Sequence, residues 1–116
     1  MKKEYRIKKY SEIDAVFKFK HMKNDAYFSI YQAMNQNAKH FRFALSIGKK
    51  YGNAVRRNKV KRQIRMIIQT LHPHIVPDRD FVIVIKPKAS ILSFDQIEHS
   101  IVTLLKKSKL LENNNE

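Results

Sequence analysis

The residues best able to do chemistry lie between Lys49 and Met66, in the stretch KKYGNAVRRNKVKRQIRM. Lys49, Lys50, Arg56, Arg57, Lys59, Lys61, Arg62 and Arg65 occur there without one Asp or Glu. Such side chains donate charge-assisted hydrogen bonds to phosphates and carboxylates, so their chemistry is binding. A solvated helix face ordinarily mixes signs, because opposite charges four residues apart stabilise a helix by a few tenths of a kcal/mol. Arg57, Lys61 and Arg65 instead stack like charges at that spacing. A segment that gives up these pairs is matched to a polyanion. Nucleic acid is the first candidate and an anionic membrane surface the second.

Catalytic side chains are sparse by comparison. The histidines are His21, His40, His72, His74 and His99. His72 and His74 flank Pro73 and lack the helical spacing of a common two-histidine zinc site. The basic middle has no close carboxylate cluster, which argues against a metal-dependent nuclease built from protein side chains. Gly48 and Gly52 are the only glycines, too few for a phosphate-binding loop. The lack of cysteine excludes disulfides, thiolate metal sites and a cysteine nucleophile. The sequence therefore predicts binding with no catalytic and no metal-ligating side chain. Phe17, Tyr27, Phe28, Tyr31, Phe41 and Phe43 lie close to the basic stretch, and unpaired bases stack on such rings. Phe41 and Phe43 share an apolar strand face and read as core, whereas the hydroxyl of Tyr31 suits a surface.

Positioning these groups requires a folded scaffold. The 116 residues suit one domain, and 43% hydrophobic content suits a single core. The net charge of +14 arises from 24 Lys+Arg against 10 Asp+Glu. From Ala26 to Pro77 no acid occurs, so the asymmetry belongs to the middle of the chain rather than to a basic tail. No apolar run is long enough to span a bilayer, and MKKEYRIKKY leads into no signal-peptide core. A soluble, cytoplasmic protein is expected.

The first periodic segment, SEIDAVFKFK, predicts a helix with Ser11 as N-cap and Asp14 as its capping partner. Ile13, Val16 and Phe17 share its apolar face, and Phe19 lies off it. AYFSIYQAM and FRFALSI are aromatic and β-branched, which predicts strands, with NQNAKH as a hairpin loop between them. Val60, Ile64, Ile67, Ile68 and Leu71 form the apolar stripe of a second helix. At 100° per residue Asn58, Lys61, Arg62, Arg65 and Gln69 fall on its far side, with Arg57 at the border. Pro73 ends that helix. DFVIVIK reads as a central strand covered on both faces. Ser93, with Gln96, starts a last helix whose stripe is Phe94, Ile97, Ile101, Leu104 and Leu105. The predicted fold is a single-domain α+β sandwich over residues 1–110, in the order α-β-β-α-β-α, with room for one extra short strand. Residues 111–116 read as a polar, disordered tail.

The basic stretch also carries a resemblance. It is similar to the signature of the bacterial ribonuclease P protein component, K-K-x-G-N-A-V-x-R-N-x-x-K-R-x-x-R. Lys49, Lys50, Gly52, Asn53, Ala54, Val55, Arg57, Asn58, Lys61, Arg62 and Arg65 all fit it. RIKKYSEIDAVFK and DFVIVIKPKA resemble other segments of that family, so the likeness covers nearly the whole chain. The departures are Arg42 followed by bulky Phe43, where smaller aliphatics are expected, and Met66, where an acid or amide often stands.

The resemblance implies a subunit of an endoribonuclease whose RNA component cleaves precursor tRNA with bound magnesium, releasing the 5′ leader. The implied partners are the catalytic RNA and precursor tRNA, with no membrane and no obligate protein partner. Lys49, Lys50, Asn53, Arg57, Asn58, Lys61, Arg62 and Arg65 are the implied RNA-binding residues. Phe17 and Tyr31 are implied to line a leader cleft between the first helix and the sheet. The family likeness further implies a left-handed crossover around the basic helix, against the general right-handed rule. The competing readings are a structural RNA-binding protein, such as a ribosomal component, and a protein-only nuclease.

Overall fold

The computed structural model describes residues 3–112. Its helices are α1 (Tyr10–Lys18), α2 (Ala54–Leu71) and α3 (Phe94–Lys107). Its strands are β1 (His21–Asn24), β2 (Phe28–Met34), β3 (Arg42–Ile47) and β4 (Arg79–Ile85). They form one mixed sheet in the order β1-β2-β4-β3. β4 is antiparallel to β2 and parallel to β3, so α2 is the crossover of a βαβ unit.

The centre of the sheet goes to the strand with the most apolar surface to hide. Phe81, Ile83 and Ile85 of β4 point to one face, where they join Phe28, Ile30 and Phe43 of the neighbouring strands. Val60, Ile64, Ile67 and Ile68 of α2 and Ile97, Ile101, Leu104 and Leu105 of α3 complete this core. Val82 points the other way and is buried with Val16 of α1 and with Ile7. Helices thus cover both faces, α2 and α3 on one and α1 on the other.

NQNAKH does not make a hairpin. Its two strands are separated by β4, and Asn35 donates its N–H to the Asp78 carbonyl at 2.9 Å. Burying both faces of β4 outweighs pairing the two strands that are adjacent in sequence. The extra strand, β1, is an exposed edge with no apolar alternation, which left it without a pattern to read. Asp25 sets the turn into β2 by accepting the Tyr27 and Phe28 N–H groups, each at 2.8 Å.

α1 begins at Tyr10, with Lys9 at the N-cap and no side-chain cap; Ser11 lies within the first turn and forms no capping box. Contacts from outside the helix decide this start. Ile7 donates its N–H to Phe43 O at 2.9 Å, docking the approaching chain on the β3 edge. Arg42 holds Glu12 at 3.2 Å. By contrast, α2 and α3 start where local chemistry directs. Asn53 accepts the Arg56 N–H at 2.9 Å, and Ser93 and Gln96 form a reciprocal capping box. α2 ends at Leu71, before Pro73.

Leu111 and Glu112 belong to the folded body rather than to a tail. Leu111 is buried against the main core and pairs with Ile75, and Glu112 donates its N–H to His74 O at 2.8 Å. The rest of the predicted tail, residues 113–116, lies outside the described residues. No helix among the described residues is long and apolar enough to cross a membrane.

Candidate nucleic-acid interface

Burial of Val60, Ile64, Ile67 and Ile68 fixes how α2 is rotated about its axis. Asn58 and Arg62 are thereby turned outward and exposed. Arg57, Lys61 and Arg65 form a half-buried line along one flank, with about 6 Å of rise between neighbours. None of these cations, nor Lys49 or Lys50 in the short 3-10 turn before the helix, forms an ion pair among the described residues. The ion pairs there lie elsewhere, at His40–Glu4, Arg42–Glu12, Arg42–Asp80 and Arg79–Asp78.

The arginines of the signature divide their work. Arg57 donates to the Gly52 carbonyl at 2.6 Å, so its guanidinium also holds the loop before the helix. Arg56 reaches the Ser90 carbonyl at 3.3 Å. Gly52 lets the loop pass close beneath Arg56, since a Cβ there would lie 3.3 Å from Arg56 Cδ. Asn53 is exposed but committed to capping α2.

Arg65 has a neighbour that sequence reasoning missed. Arg6 and Arg65 line the same depression at the β3 edge, beside Ile13 and Leu45. Burial lowers the Arg65 pKa, and the charge of Arg6 adds to the effect. The Arg6 Nε is buried without a hydrogen-bond partner among the described residues. Two like charges left together in this way extend the cationic flank to the N-terminal segment. Arg6 is far from Arg65 in sequence, and no local pattern could have joined them.

Phe17 and Tyr31 meet on the opposite sheet face. Their ring centroids are 4.8 Å apart at 82°, an edge-to-face contact. Both are half-buried, packed at the margin of the Ile7–Val16–Val82 cluster. Phe41 and Phe43 are core, with Phe81 at 5.8 Å from each. Of the histidines, His72 pairs with the Tyr5 hydroxyl at 2.8 Å and His40 with the Phe41 carbonyl at 2.8 Å.

Fold and surface together define a class: a small α+β protein with one four-stranded mixed sheet and an unpaired cationic helix flank. A family profile described as Ribonuclease P matches residues 1–109. The chain is 45% identical over 112 residues to the ribonuclease P protein component of Acholeplasma laidlawii, covering 97% of this chain and 96% of the relative. It is 41% identical over 112 residues to that of Levilactobacillus brevis, covering 97% and 95%. The solved structure of the Staphylococcus aureus RNase P protein matches with a TM-score of 0.88 at 34% identity, covering 93% of this chain and 98% of the other. The chain belongs to the Ribonuclease P family.

Proposed function

We propose that this protein binds the catalytic RNA of ribonuclease P through the α2 flank and holds the 5′ leader of precursor tRNA between α1 and the sheet. The observation that carries this reading is the line of Arg57, Lys61 and Arg65, with Arg62 beside it, none in an ion pair among the described residues, in a chain of this family. Catalytic RNA and substrate are both polyanions and repel one another. A cationic flank screens that repulsion and lowers the magnesium concentration the pair requires. The RNA subunit, in this reading, holds the catalytic magnesium and performs the endonucleolytic cleavage that leaves the mature 5′ end. Among the described residues no group of three or more His, Asp or Glu side chains could bind a metal ion. The cytoplasm is the compartment that fits a tRNA-processing complex.

Reconstitution tests this reading. Added to a bacterial ribonuclease P RNA at low magnesium, the protein is expected to restore precursor tRNA cleavage that the RNA alone performs slowly. Cleavage by the protein without added RNA would instead establish a protein-only nuclease. Tight RNA binding without any effect on cleavage would favour a structural RNA-binding protein.

The leader cleft makes a separate prediction. Phe17→Ala or Tyr31→Ala is expected to weaken binding of precursor tRNA by roughly 1–3 kcal/mol per stacked base lost. Affinity for mature tRNA, which has no leader, should change little. Thermal melts run beside the titrations guard against a packing effect, because Phe17 also touches the α1 core. Equal losses for both tRNAs would rule out a leader-specific role.

A further inference from the structure

A second basic surface lies at the far edge of the sheet from β3. A groove runs between β1 and the end of α3, lined by Lys20 and Lys23 on one side and Lys107 and Lys109 on the other. Among the described residues no acidic side chain lines it. Ser108 is 6% exposed, and its Oγ has no hydrogen-bond partner among the described residues. Gln32 donates to the Ser108 carbonyl at 2.6 Å and ties β2 to the helix end. An adjoining depression shares His21 and Lys109 with the groove and is walled by Phe19. Phe19 is 55% exposed and meets the His21 ring edge-on at 5.7 Å. This is the side chain that fell off the apolar face of the first helix.

The backbone adds a second observation. Lys20 and Lys109 adopt left-handed conformations, with φ of 64° and 58°. Each stands two residues past the end of its helix, α1 or α3, where glycine is the low-strain choice. A lysine there retains its charge at a conformational cost. The helix dipole attracts a cation to a helix C-terminus, which accounts for a lysine at either end alone. It does not account for four lysines, with no acid among the described lining residues, around one groove beside an exposed aromatic ring. None of the four forms an ion pair among the described residues.

The groove lies on the α3 side of β1 and the leader cleft on the α1 side, with Met22 of the edge strand between them. Met22 lies directly opposite Tyr31 in the β1–β2 register, so the two side chains are neighbours on the cleft face. Met22 lines the groove as well. On the other wall, α1 carries Phe17 and ends at Lys18, with Phe19 as its C-cap. We propose that this groove carries the leader nucleotides beyond the Phe17–Tyr31 cleft, as single-stranded RNA stacked on Phe19 with its phosphates on Lys20, Lys23, Lys107 and Lys109. Cations beside an exposed aromatic ring are the pattern that unpaired nucleotides use, whereas an acidic peptide would need the charge alone. The inference rests on the leader-cleft reading above.

The test uses the protein assembled with a bacterial ribonuclease P RNA and a series of precursor tRNAs. One leader is just long enough to fill the cleft, and the others are longer by several nucleotides. Lengthening the leader is expected to tighten binding about fivefold or more, fivefold being the lower end of what one stacked base provides. Lys20→Gly with Lys109→Gly removes two charges and relieves the backbone at once. This double variant should melt no lower than wild type, keep its affinity for the short leader and lose most of the gain from lengthening. Phe19→Ala should lose the same gain. A role in helix capping alone predicts that the gain survives in the glycine variant, and that result overturns the proposal. A cleft that binds the short leader while lengthening adds nothing in wild type also overturns it. A short leader that adds nothing over mature tRNA defeats the cleft reading itself.

Discussion

Reversing Lys61, Arg62 and Arg65 to glutamate is expected to weaken binding to ribonuclease P RNA by at least a hundredfold while leaving the fold intact. Each lost contact to a charged phosphate is worth about 1.5 kcal/mol or more, and tenfold in affinity is about 1.4 kcal/mol. The fold should survive because α2 is anchored by the buried Val60, Ile64, Ile67 and Ile68 rather than by these side chains. In the free protein the substitutions relieve repulsion, since Arg65 stands beside Arg6 and no ion pair is broken among the described residues. The logarithmic salt slope should fall in magnitude by about 0.7–0.9 for each phosphate contact removed. Filter binding over a salt series, with circular dichroism on the same samples, reads both quantities. An unchanged slope in a folded triple variant would show that these side chains do not meet phosphates.

Replacing Arg42 by methionine is expected to destabilise the protein by about 3 kcal/mol, the lower end of the cost of breaking a buried ion pair. Arg42 reaches Asp80 through Nη2 at 2.7 Å and Nε at 3.1 Å, and Asp80 is only 8% exposed. The same guanidinium holds Glu12 of α1 at 3.2 Å. Its pKa is raised, chiefly by the hydrogen bond to Asp80, so the positive charge persists at every accessible pH. Without Arg42, the Asp80 carboxylate keeps, among the described residues, only the Asn35 amide, at 3.3 Å from each oxygen. In a domain of this size the loss corresponds to a fall in Tm of roughly 10–15 °C. Adding Asp80→Leu should recover much of it, because removing both partners leaves no stranded charge. A single variant that melts like wild type would show that the triad contributes nothing to stability. The triad also accounts for the departure at Arg42 noted from sequence. Arg42 points to the α1 face of the sheet, where Asp80 and Glu12 neutralise it, and the adjacent Phe43 fills the main core.

Much of the cationic surface was legible because helix periodicity is a local property. Placing Val60, Ile64, Ile67 and Ile68 inward leaves Arg62 and Asn58 outward whatever the rest of the fold does. The division of labour among the arginines was not legible. Arg57 and Arg56 each spend hydrogen bonds on carbonyls that approach only in the folded chain, those of Gly52 and Ser90. Arg6 and the α1–β2 aromatic contact needed the sheet to bring distant segments together.

What the sequence determined by itself is therefore what neighbouring residues decide among themselves. The starts of α2 and α3 follow from Asn53 and from the Ser93–Gln96 box, because a cap satisfies backbone N–H groups three residues away. The stop before Pro73, the apolar stripes and the cationic flank belong to the same category. Tertiary structure alone decided the strand order β1-β2-β4-β3, the start of α1 at Tyr10 and the docking of Leu111. It also decided that lysines from two helix ends share one groove. In each of these the free energy comes from surfaces that meet only after the chain has closed on itself. A strand's alternation states which face it must bury, but the choice of partner depends on which arrangement buries the most apolar area, and here that places β4 between β2 and β3.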